Sequence, residues 1–318
     1  MKQEQESSDA SGKSSPDCKE SSPVVAFRSA FVALAGRPNC GKSTLMNTVL
    51  GEAISIVSSL PQTTRNNVKG IYNAPNLQLV FIDTPGIHSG KHGSNKYMSR
   101  ESSDALRDSD ILCYLVDLSR PFGEEEDAVA KVVAAAKVPV VIILNKKDIC
   151  EDVDGTVLSF LTRYPEFSKT SRIVISANGK DSKDAFLRLI DPFISSGPAY
   201  FSEDYATDAN LRFFAAEFIR KHLIASTRAE VPHAAFVEIT EYLENPDQHK
   251  VEAVIYVESE GQKGIVIGKN GMIVKRIQNN ASQDLKNLTG VPASIRCHIK
   301  VEPHWRDNEA FLSKLWKK

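Results

Sequence analysis

Short apolar runs alternate with segments of helical spacing over the first part of the chain. The runs predicted to be strands are Ala30–Ala35, Val68–Tyr72, Gln78–Ile82, Ile111–Val116, Val140–Leu144 and Arg172–Ile175. The segments predicted to be helices are Lys42–Leu50, Lys96–Arg107, Glu124–Ala136, Val153–Arg163 and Asp181–Ile190. Nearly continuous Val, Ile and Leu runs are typical of strands buried on both faces. The alternation predicts an α/β domain with a mostly parallel six-stranded sheet and helices on both faces.

The pattern changes after Pro192–Asp208, a polar stretch that contains Pro, Gly, Ser and Asp. The helices predicted beyond it are Asn210–Ile224 and Met272–Leu288, and the strands are Ala234–Tyr242, Val251–Glu258 and Ser294–Val301. These elements are too few and too antiparallel in their order to extend the first sheet, and they predict a separate α+β domain. The predicted divisions are a disordered Ser-rich tail at 1–27, the α/β domain at 28–195, a linker at 196–208, and the second domain with a C-terminal helix at 209–318.

Composition narrows the class of protein. The five cysteines form no CxxC pair and have no metal-ligand spacing, which argues against a disulfide-stapled secreted protein and against a zinc protein. The longest apolar runs are far too short to span a membrane. Residues 1–23 lack an apolar central region and contain five acidic residues and no Arg, so neither a signal peptide nor a transit peptide is predicted. We therefore expect a cytoplasmic protein.

A phosphate-binding loop is predicted directly after the first strand, where residues 36–43 follow the pattern GxxxxGKS. Glycines let successive backbone N–H groups point at phosphate oxygens beside the N-terminus of the next helix. The Lys42 ammonium then reaches the outer phosphates, and the Ser43 hydroxyl binds Mg²⁺. A Gly-rich turn with a surface lysine is the alternative. The predicted nucleotide contacts in this loop are Gly36, Arg37, Pro38, Asn39, Cys40, Gly41, Lys42, Ser43 and Thr44.

Three companion motifs follow in order, each at the carboxyl end of a predicted strand, which is where open α/β sheets bind ligands. They comprise Asp83, Thr84, Pro85 and Gly86; then Asn145, Lys146, Lys147 and Asp148; then Ser176 and Ala177. Asp83 suits a water-mediated contact to Mg²⁺, and the Gly86 N–H suits a γ-phosphate. A carboxylate at Asp148 accepts from guanine N1–H and N2–H₂, whereas adenine presents an unmatched edge. The motifs together predict a site for GTP or GDP with Mg²⁺.

The segment Gln62-Thr63-Thr64-Arg65 lies between the first two strands and is predicted to sense the γ-phosphate. A threonine that completes the Mg²⁺ shell only with GTP is a common on-switch, and Thr64 is favoured over Thr63; a solvated polar loop is the alternative. Lys42, Thr64 and Gly86 are thus the predicted catalytic residues. Ile87 stands where Ras-type enzymes carry a Gln that orients water, so hydrolysis must depend on another group.

A second glycine-bounded loop, Gly268-Lys269-Asn270-Gly271, precedes the last long helix. In KH domains a GxxG loop lets the RNA backbone approach closely. Lys275 on the following helix adds a cation, and residues 210–318 carry 16 basic against 13 acidic side chains. The predicted RNA contacts are Gly268, Lys269, Asn270, Gly271 and Lys275, and a purely structural turn is the alternative. For Trp305 and Trp316 we expect core packing rather than base stacking.

These segments resemble the Era family within the TrmE–Era group of bacterial GTPases. The likeness includes GRPNCGKST at 36–44, PQTTR at 61–65, DTPG, NKKD, the Ser-Ala pair, EDY at 203–205 and WRDNEAFL at 305–312. The resemblance implies a P-loop GTPase domain followed by a type II KH domain. It also implies a monomeric GTP-hydrolysing switch that binds the 3′ end of small-subunit ribosomal RNA and assists assembly of the 30S subunit. Peripheral contact with the cytoplasmic face of the inner membrane is implied as well.

Two further expectations come from the resemblance. In relatives, an Asn at the position of Asn39 can help hold a potassium ion beside the phosphates, whose charge would neutralise negative charge that develops during hydrolysis. Arg65 is the competing candidate for supplying that positive charge. Cys40 stands where a small aliphatic residue is common, which raises the expectation of an oxidation-sensitive site. A rival function is an RNA-binding module that holds guanine nucleotide structurally, with incidental hydrolysis.

Overall fold

The computed structural model describes residues 26–51, 68–83, 107–227 and 231–316. Its first sheet has six strands in the order β2-β3-β1-β4-β5-β6, and β2 is antiparallel while the other pairs are parallel. The strands are β1 (Arg28–Gly36), β2 (Val68–Ala74), β3 (Leu77–Asp83), β4 (Ile111–Asp117), β5 (Val140–Asn145) and β6 (Arg172–Val174). The helices described between and after them are α1 (Lys42–Leu50), α2 (Glu124–Ala134), α3 (Val153–Arg163) and α4 (Ser182–Ile190). The predicted mostly parallel six-stranded sheet is confirmed, while the helix predicted at Lys96–Arg107 lies almost wholly outside the described residues.

Helices cover both faces of this sheet, which explains why its strands are apolar at nearly every position. All seven residues of β4 are buried. Ile111, Cys113 and Leu115 face a core layer that includes Leu45 of α1, while alternate β4 residues face the opposite layer with α2 and α3. Because both faces are covered, period-two alternation of polar residues is absent and the polar groups collect at the strand ends.

The second domain has a three-stranded sheet with helices packed on it. Its strands are β7 (Phe236–Glu244), β8 (His249–Val257) and β9 (Ala293–Val301), with β7–β8 antiparallel and β8–β9 parallel. Its helices are α5 (Leu211–Ser226), α6 (Val231–Ala234), α7 (Glu260–Ile267), α8 (Met272–Thr289) and α9 (Glu309–Trp316). The α+β class is confirmed, and the parallel pairing of β8 with β9 shows that this sheet is less antiparallel than its element order indicated.

Helix α7, like the four-residue α6, is absent from the elements that the sequence pattern predicted. Its eight residues include Gly261 and Gly264, and glycine weakens an isolated helix. Local capping offsets this cost: the Ser259 hydroxyl accepts from the Gln262 N–H at 3.3 Å, and the Gln262 side chain accepts from the Glu258 N–H at 2.8 Å. Together with the burial of Val266 in the core, these contacts stabilise a helix that propensity alone does not predict.

The core of the second domain lies between its helices and one face of its sheet. Ile277, Ala281 and Leu285 of α8 are fully buried at helical spacing. Trp305 is also buried, and its indole N–H donates to the Ala234 carbonyl at 2.8 Å. Core packing is therefore confirmed for Trp305, while the Trp316 side chain lies outside the described part. Among the described helices, none combines the length and apolar character needed to cross a membrane.

The connection between the domains is bound to the first sheet. At the edge strand β2, the Ile71 N–H donates to the Ala206 carbonyl at 2.8 Å, and the Thr207 hydroxyl donates to the Lys69 carbonyl at 2.7 Å. The buried Gln78 side chain accepts from the N–H groups of Tyr200 and Phe201 at 2.7 and 3.0 Å. The predicted linker at 196–208 is thus an ordered segment that carries the chain along β2 to the start of α5.

Candidate functional site

The motifs predicted from sequence meet at the carboxyl edge of the first sheet. Gly36 ends β1, Asp83 ends β3 and Asn145 ends β5, while Ser176 follows β6 by two residues. Because β3, β1, β4, β5 and β6 run parallel to one another in that order, their carboxyl ends lie on one side of the sheet. The structure therefore brings together four segments that are separated by up to 140 residues in the chain.

The loop between β1 and α1 has the backbone shape that a phosphate-binding loop requires. Asn39 and Gly41 are both in the left-handed region, at φ 63° and 104°. A Cβ atom on Gly41 would collide with the Asn145 side chain, so only glycine fits there. The Lys42 side chain is buried, and its ammonium donates to the carbonyls of Gly36 at 3.3 Å and Arg37 at 3.0 Å. The ammonium is thus held over the loop, at the N-terminus of α1.

The predicted magnesium ligands lie side by side. The Ser43 hydroxyl at the start of α1 donates to Asp83 Oδ2 at 2.7 Å, and Asp83 is fully buried. A hydroxyl and a carboxylate are the oxygen donors that Mg²⁺ accepts beside substrate phosphates. The residues present therefore fit the ion. The other predicted members of this part of the site, Thr64, Thr84, Pro85 and Gly86, lie outside the described residues.

The Asn145 side chain joins the phosphate loop to the Ser-Ala pair. Its amide NH₂ donates to the Cys40 carbonyl at 2.7 Å, and its amide oxygen accepts from the Ala177 N–H at 2.8 Å. Nearby, the Ser176 hydroxyl donates to Asp148 Oδ1 at 2.6 Å and accepts from the Asp148 N–H at 3.2 Å. Asn145 thus organises the site through protein contacts, while the exposed Asp148 carboxylate is held in place at its rim.

The Arg37 side chain points into the interior, so only its backbone can face a nucleotide. Its Nε lies 2.6 Å from Glu126 Oε2, and Nη1 donates to the Pro121 carbonyl at 3.1 Å. Glu126 of α2 is fully buried and accepts from the Tyr114 hydroxyl at 2.6 Å. Burial raises the pKa of Glu126, although the Tyr114 hydrogen bond and the Arg37 charge oppose that rise. This buried group anchors the phosphate loop to β4 and α2.

Three residues that contact the nucleotide motifs from behind escaped prediction from the sequence: Glu126 pairs with Arg37, Asp117 with Lys146, and Arg120 with the Pro38 carbonyl. Asp117, Arg120 and Glu126 belong to no nucleotide motif, although all lie within one segment at the end of β4 and the start of α2. One signal was available: Asp117 ends an apolar strand just as Asp83 does, and a carboxylate at that position faces the ligand edge of the sheet.

Cys40 is fully buried in the phosphate loop. Burial raises the pKa of its thiol, although the nearby Lys42 ammonium opposes that shift. Thiols that oxidise readily are accessible and have a lowered pKa. The expectation of an oxidation-sensitive site at Cys40 is therefore wrong, and the side chain instead fills space behind the loop.

The second candidate site is the glycine loop between α7 and α8. Gly268 and Gly271 have φ of 70° and 75°, and Asn270 is also left-handed at 53°. A Cβ on Gly268 would lie 2.5 Å from Ile273 Cγ1, so bulk is excluded there. Lys269 and Asn270 are exposed at the tip.

The surroundings of the glycine loop combine cations with exposed apolar groups. Lys275 and Arg276 are exposed on the first turns of α8, and the apolar side chains of Ile265 and Met272 are 47% and 62% exposed on either side of the loop. Cations attract a phosphate backbone, and exposed apolar groups suit contact with unpaired bases. The five residues predicted to bind RNA therefore share one surface.

The described geometry agrees with comparisons to known proteins. Residues 31–146 match a family model described as a 50S ribosome-binding GTPase, and residues 230–306 match a KH domain model. The GTPase Era of Geobacter metallireducens is 41% identical over 91% of this chain and 97% of its own length. The Era protein of Clostridium botulinum is 39% identical over 91% and 98%.

Two solved structures are similar over the same extent. Era in complex with MgGDPNP and nucleotides 1506–1542 of 16S ribosomal RNA has a TM-score of 0.86 at 31% identity, and it covers 91% of this chain and 99% of its own. A variant of Aquifex aeolicus Era bound to GDP and AlF₄⁻ has a TM-score of 0.84 at 30% identity, with the same coverage. Because the similarity covers 91% of the chain and includes both domains, the chain belongs to the Era family of GTP-hydrolysing enzymes.

Proposed function

We propose that this GTPase is a molecular switch that binds small-subunit ribosomal RNA through its glycine loop and assists assembly of the 30S subunit. The observation that supports this most strongly is the presence of two candidate sites on one chain. One is the ordered phosphate loop with its guanine motif, and the other is an exposed GxxG loop beside Lys275 and Arg276. A relative of the same domain composition was crystallised with both a GTP analogue and 16S ribosomal RNA.

Two comparisons point to different ribosomal subunits, and we favour the small one. The family model that names the 50S subunit matches residues 31–146, which belong to the GTPase domain alone. The relative bound to 16S ribosomal RNA is similar over 91% of the chain, including the KH domain. RNA choice depends on the domain that contacts RNA, so the second comparison carries more weight. We propose a cytoplasmic monomer that makes peripheral membrane contact.

The nucleotide site is proposed to work through positioned charge. Lys42 binds the outer phosphates, Ser43 and Asp83 hold Mg²⁺, and Thr64 with Gly86 responds to the γ-phosphate. When bound, Mg²⁺ neutralises negative charge that develops on the phosphate oxygens. The held carboxylate of Asp148 is proposed to recognise the guanine edge. The Ala177 N–H, the other predicted contact, donates to Asn145 Oδ1 and is therefore proposed to contribute by positioning Asn145.

Base recognition can be tested by changing Asp148 to Asn. The new amide donates where the carboxylate accepted, so GTP should bind much more weakly and xanthosine triphosphate should become the preferred ligand. Sites built to hydrogen-bond one edge reject analogues that lack it by roughly 10⁴–10⁵. Nucleotide titration of the full chain measures both affinities. Asp154→Asn, at an exposed acid on the nearby α3, is the control and should bind GTP as the wild type does. Equal wild-type affinity for ATP and GTP would contradict the assignment.

A potassium ion at Asn39 is proposed to assist hydrolysis in place of the glutamine that Ras-type enzymes carry at the position of Ile87. Its positive charge would neutralise the negative charge that develops on the phosphates. Asn39 lies in the phosphate loop in a left-handed conformation, between Pro38 and Cys40, whose carbonyls are hydrogen-bonded to Arg120 and Asn145. GTP turnover should rise in K⁺ relative to Na⁺ at equal ionic strength. Asn39→Ala should abolish the difference, and Asn39→Gly should do so without backbone strain. Identical turnover of the wild type in the two salts would refute the potassium site and favour Arg65.

RNA binding can be separated from nucleotide binding by changing Lys269 and Asn270 together to Asp. Two carboxylates at the exposed tip repel an RNA backbone and disturb no core, so affinity for single-stranded RNA should collapse while GTP affinity and the thermal midpoint stay unchanged. Wild-type binding should weaken with added salt, and single-stranded RNA should outcompete a duplex.

The matched control for that double variant is Ser168→Asp with Lys169→Asp, which makes the same change in charge at two exposed residues of the GTPase domain. This control should bind RNA as the wild type does. Undiminished RNA affinity of the folded Lys269/Asn270 variant would show that the glycine loop is not the RNA site.

A further inference from the structure

The carboxylate of Asp117 is the hub of a polar cluster behind the nucleotide site. Asp117 is the last residue of β4 and is fully buried. Its Oδ1 accepts from the N–H and the hydroxyl of Ser119 at 3.0 and 2.6 Å. Its Oδ2 lies 2.8 Å from Lys146 Nζ and 3.1 Å from Arg120 Nε. Both carboxylate oxygens are therefore engaged by side chains or backbone of the nucleotide edge.

The two cations that contact Asp117 Oδ2 belong to different ends of the nucleotide site. Lys146 belongs to the guanine motif, and its backbone is left-handed at φ 66°, two residues before Asp148. Arg120 extends the other way, where its Nη2 donates to the carbonyl of Pro38 in the phosphate loop at 3.0 Å. One buried carboxylate is thus linked through Lys146 to the base end of the site and through Arg120 to its phosphate end.

The cluster depends on the negative charge of Asp117. Burial alone would raise the pKa of this carboxyl, but hydrogen bonds from Lys146 and Ser119 outweigh burial and the pKa lies below its usual value. The carboxylate is therefore ionised at neutral pH. Without its charge, the Lys146 ammonium and the Arg120 guanidinium would face each other as like charges, and each would lose its partner.

We propose that Asp117 is a positioning residue for guanine nucleotide binding, which holds Lys146 and the Arg120-bound phosphate loop at the spacing that the nucleotide requires. The inference rests on the proposed nucleotide site, and it adds a residue that touches no nucleotide itself. Lys146 and Pro38 lie in parts of the site that GTP and GDP contact alike, whereas the γ-phosphate is assigned to other residues. Loss of Asp117 should therefore weaken the two nucleotides equally.

The test is Asp117→Asn in the full chain. The amide keeps the size of the side chain, but its NH₂ is a donor that meets two donors. Loss of a charge-assisted hydrogen bond corresponds to a loss of affinity of roughly 10- to 100-fold. We expect the Kd of both GDP and GTP, and the KM for GTP, to rise by that factor. The value of kcat should change little, because the lost interaction is common to ground state and transition state.

A double variant distinguishes positioning from general stabilisation. If Asp117 acts through Lys146, then Asp117→Asn should weaken binding far less in a Lys146→Met background than in the wild type. If Asp117 merely stabilises the fold, the losses of nucleotide affinity caused by Asp117→Asn and by Lys146→Met should add, and the thermal midpoint should fall with the affinity. Additive losses would overturn the proposal.

Matched controls come from an ion pair of the same kind on the surface of the same domain. Asp127 pairs with Arg163 at 2.8 Å, and both are exposed side chains of helices α2 and α3. Asp127→Asn and Arg163→Met should leave nucleotide affinity unchanged. Should Asp117→Asn fail to fold, Arg120→Met is the alternative. It removes a side chain that is 39% exposed, together with its contacts to Pro38 and Asp117, while Asp117 keeps Lys146, and it should still weaken binding of both nucleotides.

The outcomes separate this inference from the proposed function. Wild-type protein that does not bind guanine nucleotide would remove the proposed site itself. Wild-type protein that binds GTP, combined with folded Asp117→Asn or Arg120→Met variants of unchanged affinity, would overturn the positioning role and leave the site standing.

Discussion

The nucleotide site depends on the amide of Asn145 more than on any other side chain. Its two hydrogen bonds, to the Cys40 carbonyl and from the Ala177 N–H, join the loop after β1 to the segment after β6. The parallel sheet brings these segments to one edge, but it does not set their spacing. Because the Asn145 amide is a donor and an acceptor at once, it fixes the positions of both segments. Gly41 is required in the loop, because a Cβ atom there would collide with the Asn145 side chain. Asn145, at the end of β5, therefore holds the loop after β1 and the segment after β6 together in one site.

Charged groups buried behind this edge extend the same principle. Arg37 and Glu126 form an ion pair within the domain, and the Tyr114 hydroxyl supports the carboxylate. A buried pair contributes little net stability, because desolvation offsets the attraction between the charges. Its effect here is geometric: the phosphate loop is tied to β4 and α2 at one position. The buried carboxylate of Asp117 does the same for the guanine motif, so both ends of the site are held from behind by buried charged groups.

Residues with local patterns were predictable, and residues whose partners are distant in sequence were not. The phosphate loop, Asp83, Asn145 and the Ser-Ala pair follow from motifs at strand ends. Glu126 is marked by no short pattern, because its partner Arg37 belongs to another segment. Asp117 ends an apolar strand as Asp83 does, but its pairing with Lys146 of a distant segment could not be read from that position. Helix α7 escaped because its glycines hide a helix that caps and burial stabilise. The segment 196–208 is held against the first sheet by residues that are distant in sequence, such as Gln78, so its position was not predictable either. The predicted roles of Thr64 and Gly86 remain predictions.

The connection along β2 gives the switch a physical basis. Lys69 donates its N–H to Asp208 at 3.1 Å, and α5 begins at Leu211, three residues later. β2 directly follows the segment that contains Thr64, so a change there has a short path to the RNA-binding domain. The most direct test is the affinity of the full chain for single-stranded ribosomal RNA with GDP and with a non-hydrolysable GTP analogue. The account predicts tighter binding with the analogue, by about tenfold for a typical coupling between two sites. Equal affinity in the two states would contradict a GTP-driven RNA switch.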